Sequence, residues 1–245
     1  EMLVNNICVA QKRLESLTRK LNLNPSLRDR YYAVFDDLEG QGMIEEVSLN
    51  EPTENPVFYL PHRPVVRESS QTSKVRPVFD GIGKSLSWFS LNDCLDAGPK
   101  LFPDLLKVLL RFRRWQFGLT ADITKAFLQI ELRPEDRDVH RFLLNKNEKV
   151  RHMRFTRVTF GNSASPFLLN ATIKLHLSKF EEDKTIRELK QNLYVDDWLS
   201  GADDEKELME MMVKAEQVLK EASFPLTKWT SNSPQVRERL KRLSE

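Results

Sequence analysis

Between Phe117 and Thr230 the spacing of apolar residues spells one order of elements, and that order constrains the fold more than any other feature. Phe117, Leu119 and Ala121 alternate with Gly118, Thr120 and Asp122, the pattern of a strand with one buried face. The strand ends at an aspartate. Ser165-Pro166 starts a helix carrying Phe167, Leu168, Ile173 and Leu177. Leu193–Val195 and Trp198–Leu199 bracket Asp196-Asp197 as a tight hairpin. Leu208, Met211, Met212, Ala215, Val218, Leu219 and Ala222 make a long amphipathic helix, with Asp203 or Asp204 as its cap. Leu226–Thr230 is a last strand. With Glu131–Gly161 set aside as an insertion, this is strand, helix, strand, strand, helix, strand, the split βαβ or ferredoxin-like order. The first strand and the central hairpin are neighbours in that topology, so Asp122 can approach Asp196 and Asp197. Many functions share the order, so it places acidic residues without naming their use.

The first half reads differently. Leu3, Ile7, Ala10, Leu14, Leu17 and Leu21 form one helical stripe that ends near Asn24-Pro25. A second helix runs through Leu27, Tyr31, Val34, Phe35 and Leu38 and stops at Gly40. Ile44–Val47, Val57–Leu60, Val65–Arg67 and Val75–Asp80 read as short strands, kept short by Pro52, Pro56, Pro61 and Pro64. Pro103 opens a helix with Leu105, Leu106, Leu109 and Phe112 on one side. Phe127–Leu132 reads as extended, and Arg141–Leu144 and Arg151–Phe155 flank the polar turn Asn145–Lys149 as a hairpin.

Composition excludes whole classes. With 40% hydrophobic and 30% charged residues in 245, the chain is neither disordered nor fibrous. Cys8 and Cys94 cannot build a disulfide framework or, alone, a zinc site, which points to a reducing intracellular setting. The apolar stretch Leu101–Phe112 is broken by Asp104, Lys107 and Arg111, so no membrane span is expected. The chain starts at Glu1 without an apolar leader and reads as a piece of something longer. A net charge of +2 is too small to announce nucleic acid. Two basic clusters, Arg111/Arg113/Arg114 and Lys146/Lys149/Arg151/His152/Arg154/Arg157, read first as solvated faces.

Three carboxylates brought together repel one another and call for cations. Mg²⁺ takes oxygen ligands and keeps room for phosphate oxygens. Two such ions about 4 Å apart are the usual device for nucleotidyl transfer. The plain alternative is a polar hairpin turn beside a strand-end aspartate, since Asp is common in turns.

The neighbouring residues decide between these. Tyr194-Val195-Asp196-Asp197 is the YxDD box of reverse transcriptases, with Tyr194 expected on the same side as Asp196 in an extended strand. Lys74-Val75-Arg76-Pro77-Val78-Phe79-Asp80 resembles that family's fingers strand, and Leu91-Asn92 follows as it does there. Ala121-Asp122-Ile123-Thr124-Lys125-Ala126-Phe127 resembles its first catalytic motif. Phe160-Gly161-Asn162-Ser163-Ala164-Ser165-Pro166 resembles its template- and nucleotide-facing motif, and Leu226-Thr227-Lys228-Trp229 a later lysine motif. The match covers roughly residues 27–232. Tyr59-Leu60-Pro61-His62, Val78-Phe79-Asp80 with Ser90-Leu91-Asn92-Asp93, Leu110-Arg111-Phe112-Arg113 and Phe160-Gly161 are similar to the Bel/Pao long-terminal-repeat retrotransposons.

The resemblance implies an α+β fold: a right-hand polymerase palm with a ferredoxin-like βαββαβ core plus a mixed fingers subdomain. It implies an N-terminal helix at 1–26, fingers at 27–116 and 133–160, palm at 117–132 and 161–232, and the start of a truncated connection or thumb at 233–245. Past Trp229 there is room only for a short basic helix, Val236–Leu243, so the thumb is expected to be absent or vestigial, with no RNase H, protease or integrase region. It implies an RNA-directed DNA polymerase using two Mg²⁺ ions, with Mn²⁺ able to substitute, an RNA or DNA template with its primer, deoxynucleoside triphosphates, and a cytoplasmic place. Asp122, Asp196 and the Ile123 carbonyl are expected to ligate the ions and Asp197 to support them. Arg76 would pair a triphosphate oxygen, helped by Lys74 or Arg67. Phe127 would be the steric gate against a 2′-hydroxyl, and Gly161 would let backbone approach the base pair. Lys228 would give a proton to the leaving pyrophosphate. The basic clusters would then contact phosphate backbone. Two other readings stay open: a catalytically inactive retroelement-derived nucleic-acid-binding domain, and another palm-type enzyme such as a nucleotidyl cyclase. The sequence sets no oligomeric state.

Overall fold

The computed structural model describes residues 3–48, 53, 55–68, 74–83, 89–146 and 148–244, with side chains to residue 240. Glu1, Pro52 and one residue of the Asn145–Lys149 turn lie outside the described residues. In chain order the elements are α1 (Ile7–Asn22), α2 (Pro25–Gly40), β1 (Ile44–Glu46), β2 (His62–Val66), β3 (Val75–Phe79), α3 (Leu91–Cys94), α4 (Leu105–Arg113), β4 (Phe117–Ile123), β5 (Arg141–Lys146), β6 (Lys149–Phe155), α5 (Ser165–Leu177), α6 (Lys184–Asn192), β7 (Leu193–Tyr194), β8 (Asp197–Ala202), α7 (Glu205–Glu221), β9 (Leu226–Ser231) and α8 (Pro234–Ser244). They divide into two units, Glu1–Ala97 with Ile130–Ser165, and Gly98–Gln129 with Pro166–Glu245. Among the described residues no helix is long and apolar enough to cross a membrane.

In the first unit, β1, β6 and β5 form a three-stranded antiparallel sheet, and β2 pairs β3 as a separate hairpin. The expected α1 stripe is buried at Ala10, Leu14, Leu17 and Leu21. Asn24 caps α2 by accepting the Leu27 N–H, with Pro25 at the first helical position. Phe35, Phe79, Phe142 and Phe155 pack edge to face or tilted, with ring centroids 4.8–6.3 Å apart. Tyr59, Leu60 and His62 belong to this interior: His62 Nε2 meets the Leu143 carbonyl at 2.8 Å, and Tyr59 is 2% exposed. Segment 57–60 is not a strand, apart from a single bridge between Tyr59 and Arg141.

The second unit carries the sheet β7-β8-β4-β9, antiparallel throughout. Counting its four strands in chain order, this is the ferredoxin-like arrangement that the sequence predicts. One face is apolar. Leu119, Ala121 and Ile123 of β4 and Trp198 of β8 are buried, as are Leu208, Met211, Met212, Ala215, Val218 and Leu219 of α7. Each large side chain here stabilises by roughly 1.5–3 kcal/mol before entropy is counted. Asp204 is the α7 cap, accepting the Glu207 N–H at 2.9 Å. Gly201 is required by close approach, because a Cβ there would lie 2.4 Å from the Phe117 carbonyl oxygen.

Other readings of the sequence also differ from the structure. Phe127 lies in a 3₁₀ turn, Ala126–Gln129, and not in an extended segment. The polar residues α6 carries hid that helix from an apolar count, although Ile186 and Leu189 anchor it. Of the α4 side chains only Val108 is buried, while Leu106 and Leu110 are 65% and 61% exposed. Finally, three of the six basic residues in the 146–157 cluster are spent on ion pairs among the described residues. Arg151 bonds Glu39 and Glu46, Arg154 bonds Glu45 and Asp138, and Lys146 bonds Asp36.

Asp138 centres the most buried of these networks. It accepts Arg141 Nε and Arg154 Nη1 at 2.9 Å and Thr53 Oγ1 at 2.9 Å. Burial would raise its carboxyl, but the bonds from Arg154, Arg141 and Thr53 outweigh burial and hold it below the usual range. Asp138→Ala takes from the buried Arg141 guanidinium its carboxylate partner and leaves Arg154 with Glu45 alone, and should cost about 3–5 kcal/mol at pH 7. A depressed carboxylate stabilises above its unfolded pKa, so this difference should shrink as pH falls through about 4 and below. Urea unfolding of both proteins at pH 7 and pH 3.5 measures it.

Candidate active site

The sheet face opposite α7 carries the acidic residues. Gly118, Thr120 and Asp122 of β4 alternate with the buried set, and the ladder sets Asp122 directly across from Asp197 of β8. Directly opposed residues on one face hold their Cβ atoms about 5 Å apart. Tyr194 pairs with Asp197, so the hairpin turn is Val195-Asp196, one residue earlier than expected. Asp196 therefore sits in the turn, and Tyr194 shares a register position with Asp197 instead. Val195 has φ 57°, a left-handed conformation that is costly for a β-branched residue. The tip is tied down where the Asp196 carbonyl accepts the Ile123 N–H at 2.9 Å.

On the other side, β9 pairs with β4 through a bulge. The register passes from Thr120 opposite Thr230 to Asp122 opposite Thr227, leaving one extra residue on β9. Lys228 lies in that bulge with φ 52°. Its Nζ stands 2.9 Å from Asp122 Oδ1. The Thr124 and Thr227 hydroxyls, 2.7 Å apart, clip the strand ends together.

The electrostatics follow. Burial raises the Asp196 carboxyl, and the charges of Asp197 and Asp122 raise it further. Burial raises Asp197 too, with Asp122 adding to it and Lys228 opposing. The donor set is carboxylate oxygen throughout, the chemistry a hard divalent cation prefers, and its repulsion is what such a cation would relieve. As the side chains stand, no group of three or more His, Cys, Asp and Glu among the described residues encloses a metal position. The Lys228 ammonium is a monovalent stand-in, bonded to one of the three carboxylates.

The other predicted residues are placed as follows. Ile123 follows Asp122 and is buried, with its N–H spent on Asp196. Tyr194 is half-buried against Phe102, ring centroids 5.4 Å apart. Phe127 is half-buried in its 3₁₀ turn. Gly161, Lys74 and Arg76 belong to the first unit. Arg76 pairs with Val65 across the β2–β3 hairpin, and period-two alternation sets Arg63 and Arg76 on one exposed face. The Arg67 N–H donates to the Lys74 carbonyl at 2.8 Å where the hairpin opens. Arg63 was legible from its alternation with Val65 and Arg67 but is no part of the predicted site. Arg111, from the other basic cluster, bonds Asn192 at 2.7 Å and is structural.

Comparison with known proteins bears on this geometry. A family model described as reverse transcriptase (RNA-dependent DNA polymerase) matches residues 75–229. No curated protein matches the sequence. Among solved structures, a prototype foamy virus protease–reverse transcriptase is 22% identical over 83% of this chain, at a TM-score of 0.60. A foamy viral protease–reverse transcriptase dRH in complex with double-stranded DNA is 20% identical over 83%, TM-score 0.61, and one in complex with an RNA/DNA hybrid is 19% identical over 85%, TM-score 0.60. This chain covers 24%, 30% and 24% of those three chains, and at these identities the likeness is one of fold.

The raised carboxyls make a prediction independent of any activity. The folded protein retains protons at Asp196 and Asp197 that the unfolded chain has released, so their ionisation costs stability as pH rises from about 3.9 through the raised values. At pH 7 Asp196→Asn should melt a few degrees above the parent, and near pH 4 the two should converge. A lower melting point for the variant at pH 7 would contradict stored repulsion.

Proposed function

The chain belongs to the reverse transcriptase family, and from that premise we propose that it is the fingers–palm portion of an RNA-directed DNA polymerase of the Bel/Pao retrotransposon type. The reaction adds a deoxynucleotide to a primer 3′-hydroxyl, with release of pyrophosphate. Residues 27–116 and 133–160 are proposed as fingers, and 117–132 and 161–232 as palm. One observation carries the reading: Asp122 and Asp197 opposed on one sheet face, with Asp196 at the adjoining hairpin tip and Lys228 bonded to Asp122.

Asp122, Asp196, Asp197 and the Ile123 carbonyl would hold two Mg²⁺ ions. Bound there, the ions would lower the pKa of the primer hydroxyl and offset charge on the phosphates. The chain's own groups do the rest. The Lys228 ammonium holds a proton at Nζ beside the acidic face, where a departing pyrophosphate could take it. The Arg76 guanidinium pairs a triphosphate oxygen in fork geometry, with Lys74 as a second cation. The Phe127 ring fills the space a 2′-hydroxyl would need, and Tyr194 backs the hairpin. Gly161, with no Cβ, permits close backbone approach to the new base pair. Arg63, Arg67, Lys74 and Arg76 form no ion pair among the described residues, in contrast to the 141–154 set. The hairpin face is therefore the better candidate for phosphate contact.

Mg²⁺- or Mn²⁺-dependent primer extension on an RNA template tests the proposal. The parent should extend, and Asp196→Asn should lose at least about a thousandfold, the scale on which preorganised charge stabilisation acts. Salt-sensitive binding with no extension in either protein would instead support a non-catalytic binding domain. Phe127→Val should admit ribonucleotides, and unchanged sugar selectivity would remove Phe127 from the gate.

A further inference from the structure

Asn92 uses both ends of its side-chain amide on one turn far away in sequence. Nδ2 donates to the Gly161 carbonyl at 2.9 Å, and Oδ1 accepts the Ser163 N–H at 2.9 Å. The amide thus grips the turn on both sides of Asn162. Asn92 is itself held: its backbone N–H donates to the Gly81 carbonyl at 3.1 Å. The short helix that carries it is closed by a capping box, in which Asp93 Oδ2 accepts the Ser90 N–H at 2.9 Å and Ser90 Oγ accepts the Asp93 N–H at 3.3 Å.

The packing leaves this turn little choice of shape. Gly161 has φ 95°, and a Cβ on it would lie 2.9 Å from the Phe79 carbonyl oxygen. A Cβ on Gly81 would lie 2.9 Å from the Gly161 oxygen and 3.0 Å from Asn92 Nδ2. Two backbones therefore meet without side chains between them, and the Asn92 amide is the group that fixes their spacing. Only a side chain that donates and accepts from one short planar group can make this pair of bonds. An isosteric carboxylate would keep the Ser163 bond and set a negative oxygen against the Gly161 carbonyl.

We propose that Asn92 is a positioning residue for the incoming deoxynucleotide: its amide holds the Gly161 turn in the shape that fits against the nascent base pair. This rests on the polymerase reading and on Gly161 facing the nucleotide. Losing both bonds should raise the deoxynucleotide KM about tenfold, the scale of two modest hydrogen bonds, and leave kcat within about twofold.

The test pairs kinetics with amide exchange. In Asn92→Ala, exchange over residues 160–164 should quicken about tenfold while β4 is unchanged, and KM should rise without kcat. Asn92→Asp, of equal size, guards against a folding failure in the alanine variant and should also raise KM severalfold, because it keeps the Ser163 bond but sets an oxygen against the Gly161 carbonyl. Asn92→Gln, which retains donor and acceptor on a side chain one methylene longer, should recover only part of the lost affinity. Faster exchange with an unchanged KM overturns the inference and leaves the polymerase reading intact. A fall in kcat that tracks a lower melting point overturns it as well, since that is what a merely structural role gives. If the parent itself extends no primer, both readings fall.

Discussion

Two like charges facing each other across adjacent strands set the terms for the second unit. Asp122 and Asp197 are register partners, and Asp196 joins them from the turn, so the sheet stores repulsion at the last pair of the β4–β8 ladder. Such an arrangement persists only if the rest over-determines it. The opposite face does so: β4 and β8 bury Leu119, Ala121, Ile123 and Trp198, and α7 presents a continuous apolar stripe. Sliding β8 by one residue would relieve the acids and turn the fully buried Trp198 out of the apolar face, which is the stronger penalty. Lys228 then offsets part of the charge, because the β9 bulge brings it into reach of Asp122.

Much of this was legible because it follows periodicity. Alternation fixed the face of Asp122, the caps fixed α2 and α7, and the element order fixed the neighbours of β4. What misled was local. Val195 is β-branched and reads as strand, so the turn was set one residue late, which exchanged the places of Asp196 and Asp197 relative to Asp122. Phe127 looks extended in an apolar run, yet Lys125 at φ 50° breaks the strand and a 3₁₀ turn follows. The leucines of α4 satisfy a helical stripe, but most remain exposed in the described residues, and a stripe alone cannot say what covers it.

Charge was the least legible property, because a cluster of cations in sequence carries no record of its partners. Arg151 and Arg154 look as available as Arg63 and Arg76. In the fold the former meet Glu39, Glu45, Glu46 and Asp138, while the latter stand out from a two-stranded hairpin. Neutralised cations release few counterions on binding phosphate, so the two groups differ in what they can offer a polyanion even at equal exposure. The same distinction separates motif residues proposed for chemistry from those that build. His62 and Tyr59, which the sequence reading counts toward a Bel/Pao resemblance, are interior groups with backbone or ring partners.

Backbone strain marks the site without reference to any motif. Non-glycine residues with positive φ among the described ones are Lys125, Glu148, Val195, Ser223 and Lys228. Glu148 lies in the β5–β6 turn and Ser223 ends α7, both ordinary places for such a conformation. The remaining three border Asp122. Lys125 follows the end of β4, Val195 forms the tip whose neighbour Asp196 bonds Ile123, and Lys228 occupies the bulge that meets the Asp122 carboxylate. A left-handed residue costs about 1–2 kcal/mol, so three around one strand end spend several kcal/mol where nothing in the core demands it. Regular pairing would remove that cost and would also move Lys228 from Asp122 and Asp196 from Ile123. The strain is thus tied to the convergence of these groups, and a fold selected for stability alone would not retain it.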